Sequence, residues 1–261
     1  MSALPLKPRV AGMVVPAIRA VTLGRPLHWL SLGLDDLRRA WPVSLAYGAL
    51  FALAGWLLLD WARDSVHLSM ALLSGFALVA PFLALGFLAV SSRLEHGLDS
   101  GGLLHPFVVV RRNGASIGLF AVLLAFLLSV WERLSALLVG LFVKQDLVAT
   151  GYFSFSLLFD GDHLGFLLAY GVFGVILASL VFALTVITLP LLIDRPLDLV
   201  TAMVTSLHVV ARNPLPLLFW AMLIVLHLLA GLGTGLLGLV VLFPILGHAT
   251  WHAYRDLVAP E

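Results

Sequence analysis

The side chains most able to do chemistry gather near the C-terminus. Pro244-Ile-Leu-Gly-His-Ala-Thr-Trp-His-Ala-Tyr-Arg-Asp256 follows the apolar run Leu236 to Phe243 and packs His, Trp, Tyr and Arg into a few helical turns. On a helix, residues three and four apart share a face, so His248, Trp251, His252 and Arg255 form one stripe, with Tyr254 beside it and Asp256 one turn beyond His252. Two histidines at i and i+4 can reach one copper or zinc ion, or the edge of a haem. His208, at a matching depth, is the candidate third ligand. A metal needs a third and a fourth ligand, and no carboxylate accompanies the pair within the segment. The competing reading is structural. Trp251 and Tyr254 suit the headgroup level, and His and Arg suit the negative end of a helix dipole. Ligand count favours the second reading, so no cofactor is expected, and copper, zinc or haem is the alternative.

Other polar groups are sparse. Glu132-Arg133 interrupts an apolar run, and intramembrane charge points to function unless it lies at an interface. Asp194-Arg195 and Arg255-Asp256 sit at equivalent exits, placed to pair with the arginines of neighbouring amphipathic helices. Asn213-Pro214 has the form of an N-cap followed by proline at the first helical position. No nucleophile elbow, metalloprotease motif, phosphate loop or dinucleotide fingerprint is present. The chain is therefore expected not to be an enzyme, and nothing in it suggests nucleic acid.

These groups must be positioned by elements that live in lipid. The 261 residues are 61% hydrophobic and 11% charged, with mean hydropathy +1.08. A water-soluble surface needs about a quarter charged residues. Apolar runs near the length that spans a bilayer, about twenty residues, recur along the chain. Lipid offers backbone amides no partners, so these runs are helices. The expected fold is all-α and polytopic: six transmembrane helices arranged as three parallel hairpin repeats, with amphipathic helices on the cytoplasmic face. Without cysteine there is no disulfide, thiolate metal site or palmitoylation.

Residues 1–25 carry Lys7, Arg9, Arg19 and Arg25 without a signal-peptide core, and read as a cytosolic tail. Residues 26–257 form the membrane domain and 258–261 a short C-terminal tail. Leu27 to Ala40 is amphipathic, with Leu27, Leu30, Leu34, Leu37 and Trp41 opposite His28, Ser31, Asp35 and Arg39. Spans follow from Trp41 to Leu59 and from Val66 to Ser91. Leu98 to Arg112 is a second interfacial stretch, broken by Gly101, Gly102 and Pro106. The third and fourth spans, Ala115 to Val143 and Leu164 to Ile193, are overlong at roughly 40 Å, which predicts a hairpin projecting outward. The connection from Lys144 to His163 is aromatic and acidic. Leu199 to Arg212 is the third amphipathic stretch. The fifth span ends at Gly231-Leu-Gly-Thr-Gly235, and the sixth runs to Arg255. The glycines there, with Gly171 and Gly174, read as close-packing sites. The repeat unit is an amphipathic stretch ending in Arg, a cap, and a hairpin whose second arm carries Pro81, Pro190 or Pro244.

Lysine and arginine set the orientation. With an inner N-terminus, most fall inside, and only Arg63, Arg133 and Lys144 fall outside. Both termini are expected in the cytoplasm of a bacterial inner membrane.

Leu189-Pro-Leu-Leu-Ile-Asp-Arg195, Ala202 to Ser206, Asn213-Pro214, Trp220-Ala221 and Gly247 to Leu257 together resemble a bacterial domain-of-unknown-function family. Trp131-x-Arg133 and Ser44 to Trp56 are similar to it as well. The resemblance implies a six-span integral membrane protein and no particular activity. Three functional classes stand open. The first is a non-catalytic accessory, assembly or scaffold subunit, partnered by the lipid bilayer and by another membrane complex or lipid. The second is a redox-linked metal or haem binder using His248 and His252. The third is a small-molecule transporter, although the spans carry few of the ionisable groups that ion coupling needs. The first is the reading adopted. The terminal stripe is expected to lock the last span against the third amphipathic helix, near His208 and Arg212.

Overall fold

The computed structural model describes residues 9–10, 13–14, 16–105, 108, 111–142 and 164–260. The Lys144 to His163 connection, most of the 1–15 tail and part of the second amphipathic stretch lie outside the described residues. Helix α1 (Arg25–Arg39) lies ahead of α2 (Trp41–Ala62). Then come α3 (Val66–Leu83), α4 (Leu85–Glu95) and, after a 3-10 turn at Arg111–Asn113, α5 (Gly114–Phe142). Helices α6 (Leu164–Thr185), α7 (Thr188–Asp194), α8 (Leu199–Arg212), α9 (Pro214–Gly233) and α10 (Leu239–Leu257) follow.

Among the described residues, four helical stretches are long and apolar enough to cross a membrane: Trp41–Ala62, Arg111–Phe142, Leu164–Asp194 and Pro214–Gly233. The expected second span is two helices. Pro81 cannot donate to the helix ladder, and the chain re-starts after Ala84. The fourth is likewise divided, between Thr185 and Thr188. The fifth ends as its glycines suggest. Gly235 takes positive φ, Leu236 N–H bonds the Gly231 carbonyl and Gly235 N–H the Leu232 carbonyl, which is the Schellman arrangement.

Helix α10 is the centre of the bundle. It packs most extensively on α1, then on α2, α4 and α9. Two glycines permit this. A β-carbon at Gly33 would stand 2.6 Å from the Ile245 carbonyl oxygen, and one at Gly48 would meet the Val240 carbonyl. Of the glycines expected at crossings, Gly231 and Gly174 do face side chains, whereas Gly171, Gly233 and Gly235 face open space.

On α1 the apolar edge is not the most buried one. Trp29, Gly33, Asp36, Leu37 and Ala40 are buried, while Leu27 and Trp41 are more than half exposed. The reason is the crossing at Gly33, which turns the Trp29–Asp36 edge onto α10. In contrast, α8 spans the residues its pattern predicts, capped by the Asp198 carboxylate accepting from Thr201 N–H at 2.9 Å.

Candidate functional site

The polar stripe of α10 faces inward and meets side chains from four other helices, α1, α2, α4 and α7, and the N-terminal segment caps its end. His248 is wholly buried between α2 and α4. Its Nδ1 lies 2.8 Å from Ser91 Oγ and its Nε2 2.9 Å from Ser44 Oγ. Both serines are themselves fully buried. Ser91 donates to Asp36 Oδ2 at 2.7 Å, and His252 Nε2 meets the same oxygen at 2.8 Å.

Hydrogen-bond chemistry then fixes the direction of the chain. Ser91 has given its proton to Asp36, so it accepts from His248 Nδ1–H. The remaining ring nitrogen accepts from Ser44. His248 is thereby the neutral Nδ1–H tautomer, and Asp36 is the anionic terminus. Burial works to raise the Asp36 carboxyl, but hydrogen bonds from His252 and Ser91 outweigh it and hold the group below the usual carboxylate range. The Phe87 ring closes the pocket, edge-on to His248 at 5.5 Å.

The next turns repeat the pattern. Trp251 Nε1 donates to Glu95 Oε2 at 2.8 Å, and Arg255 Nε to the other oxygen at 2.9 Å. Tyr254 donates to Asp194, which Arg255 also approaches at 3.4 Å. Asp256 accepts from Trp29 Nε1 at 2.8 Å and from the Arg25 guanidinium through both oxygens. Acids from α1, α4 and α7 thus converge on one helix.

The free carbonyls at the end of α10 are capped from the N-terminal segment. Arg19 donates to the Arg255 and Val258 carbonyls at 2.8 and 2.9 Å, placing its positive charge at the negative end of the dipole. Its backbone N–H bonds Leu257 O, and Ala259 N–H bonds Ala17 O. Arg195 donates to Ala259 O at 2.6 Å. Asn213 stands at the N-cap position of α9 as expected, but its side chain makes no cap hydrogen bond there and is spent elsewhere. Its amide accepts from Val21 N–H at 2.9 Å and donates to Arg19 O at 3.1 Å, tying the same segment to the start of α9. Pro214 opens α9 as its position predicts.

The expected neighbour of the stripe is therefore displaced. The lock is made with α1, not with the third amphipathic helix, and His208 is exposed on α8. Among the described residues no group of three or more His, Asp or Glu side chains is placed to hold a metal. Both His248 nitrogens face serine hydroxyls, and the His252 Nε2 faces a carboxylate. Glu132 and Arg133 stand far along α5, their side chains 27% and 86% exposed and 3.3 Å apart. His227 bonds the Leu223 carbonyl of its own helix at 2.7 Å.

Several members of the site carry no strong sequence signal: Asp36, Ser44, Ser91, Glu95, Arg25 and Trp29. Asp36 offered one hint. It falls three residues after Gly33 and seven after Trp29, on an edge where the helix has no partner for it.

Residues 68–194 match the family described as "Predicted integral membrane protein (DUF2189)", the domain-of-unknown-function membrane class that the resemblance implied. The Gly247 to Leu257 run lies outside the matched residues. No curated protein and no solved structure matches the chain.

Proposed function

We propose that this integral membrane protein is a non-catalytic inner-membrane module, an accessory or assembly subunit that docks to another membrane protein complex. Its six spans form three parallel hairpins, with α3–α4 and α10 completing the set, and both termini are cytoplasmic. One observation carries the non-catalytic reading. The chain's richest set of reactive side chains, His248, Trp251, His252, Tyr254, Arg255 and Asp256, is bonded throughout to other helices of the same chain. The overlong α5, paired with α6, supports docking. The 29 residues of α5 reach about 43 Å, against a hydrocarbon core of about 30 Å. Its far end presents Leu137, Leu141, Leu164 and Leu168 unburied.

Native electrophoresis of gently solubilised membranes, with absorption and metal analysis of the band, tests the role. Comigration with a stoichiometric membrane partner and no copper, iron, zinc or Soret signal supports it. A chain that runs alone and carries a metal or haem moves to the redox reading. One that runs alone without either, and moves a solute across liposomes, is a transporter. The topology is checked separately in this cysteine-free chain. Cysteines at the exposed positions Asp64 and Thr234 should label from outside, and one at exposed Leu23 should not.

A further inference from the structure

Beside the lock, and independent of any partner, lies a cleft of about 280 Å³ with a basic rim. Arg93 and His96 come to it from the end of α4, and His105 and Arg112 from the connection to α5, over a floor that includes Ala89 and Ile193. Its depth follows from the crossing helices. Arg112 is in the first turn of Arg111–Phe142, and Ile193 is in the last turn of Leu164–Asp194. The cleft therefore opens where hydrocarbon gives way to headgroups.

The charges at this level are unbalanced. Arg93 pairs with Asp99 at 2.6 Å. Arg112 is exposed and makes no ion pair among the described residues. Glu95 and Asp194, the acids beside these lining residues in the sequence, are engaged with α10. Two guanidiniums against one carboxylate leave the rim net positive. Burial, and then the charges of Arg93 and Arg112, push the His105 ring below its ordinary value, so at neutral pH it can offer one N–H donor. His96 Nδ1 meets the Ser92 carbonyl at 2.7 Å, which leaves Nε2 as its second ring nitrogen.

We propose that this cleft binds a phosphate-bearing anion, supplied by an anionic phospholipid headgroup or as free phosphate, with Arg112 as its principal contact. A guanidinium presents a planar fork of donors that matches phosphate oxygens. The apolar floor suits the glycerol and upper acyl region of a lipid. Free phosphate would use the rim alone.

Thermal unfolding of the purified protein in uncharged detergent, titrated with phosphatidylglycerol or with inorganic phosphate, separates the sources. The wild type should gain Tm, and Arg112→Gln should bind at least about tenfold more weakly, the equivalent of one charge-assisted hydrogen bond. Arg112 is exposed, so the variant's ligand-free Tm should stay unchanged. His105→Gln provides a second variant and should bind several-fold more weakly. A response to phosphatidylglycerol alone assigns a lipid headgroup, and an equal response to inorganic phosphate assigns the free anion. No response in the wild type, or equal responses in wild type and both variants, overturns the proposal.

Discussion

The bundle holds two polar clusters, one near each end, and they are built from different material. At the α10 end the members are Asp36, His248, His252, Ser44 and Ser91, flanked by Glu95, Asp194, Arg25 and Arg255. Toward the other end, Trp131 Nε1 donates to Ser74 at 2.8 Å, and the Tyr170 hydroxyl lies 2.9 Å from Ser74 and 3.0 Å from Ser135. Every group in that second cluster is neutral. Both clusters join helices distant in sequence, and both meet the same requirement, that a buried donor or acceptor find a partner. The contrast lies in what failure costs. Losing a neutral hydroxyl leaves a small defect, whereas losing a member of the charged cluster strands its neighbours in a dry site.

The largest expected effect tests that asymmetry directly. His248→Ala removes the acceptor of Ser44 and the donor to Ser91, and opens a hole beneath Phe87. Orphaned buried groups and an unfilled cavity together should lower unfolding stability in detergent by about 3–5 kcal/mol. A loss under about 1 kcal/mol, the scale of one ordinary hydrogen bond, would show that the cluster holds nothing together and would erase the contrast.

Asp36→Asn should follow, at about 2 kcal/mol near pH 7, because hydrogen bonds to a charged acceptor are worth about 1.5–3 kcal/mol. It carries a pH signature as well. The folded carboxyl lies below its unfolded value, near 4. Its stabilisation is therefore complete above about pH 4 and fades as pH falls through the folded value. The wild type should lose stability on acidification below that point, and Asp36→Asn should show a shallower acid limb. Equal limbs would mean that Asp36 does not carry the acid response.

Tyr170→Phe probes the neutral cluster. It deletes the hydroxyl that meets both Ser74 and Ser135, yet a serine within a helix can donate to the carbonyl four residues before it. Ser74, for one, already donates to the Met70 carbonyl. The expected loss is about 1 kcal/mol, with the acid limb unchanged. A loss as large as that for His248→Ala would make the two ends equivalent.

How these elements read from sequence follows the same division. The extent of helix α8 was legible because its N-cap stands in place at Asp198 and its last turn ends at Arg212, although Thr201 and Thr205 of its polar stripe turn into the bundle. The inward stripe of α10 was legible because His, Trp, Tyr and Arg have no reason to recur in lipid-facing positions. The partner helix was not. Lipid is as apolar as a protein core, so the hydropathy of α1 does not say which face it buries. The leucine edge, Leu27 to Leu34, carries the stronger pattern, yet the Trp29–Gly33–Asp36 edge is the one against α10. The choice is made by a contact no single segment encodes, the absent side chain at Gly33 against the Ile245 carbonyl. Ser44 and Ser91 were invisible for a plainer reason, since buried serines are common and only the His248 ring between them gives them a role.

The smallest expected effect belongs to the one charged pair on the far part of α5. Glu132 and Arg133 are sequence neighbours and so point to different sides of the helix, which is why Arg133 is 86% exposed while Glu132 is 27% exposed. An arginine standing on the outer surface of the bundle at hydrocarbon depth would be costly, by several kcal/mol at the centre. The length of α5 removes the difficulty: counted from the 3-10 turn at Arg111–Asn113, Arg133 falls about 30 Å along the helix, at the opposite margin of the core. A guanidinium at that level reaches water or headgroups. Arg133→Gln should therefore leave Tm within error of the wild type, and a spin label at position 133 should report collision with a water-soluble relaxant. If the label is instead shielded and the substitution raises stability, Arg133 lies in lipid, α5 is strongly tilted, and the far end is strained rather than merely neutral.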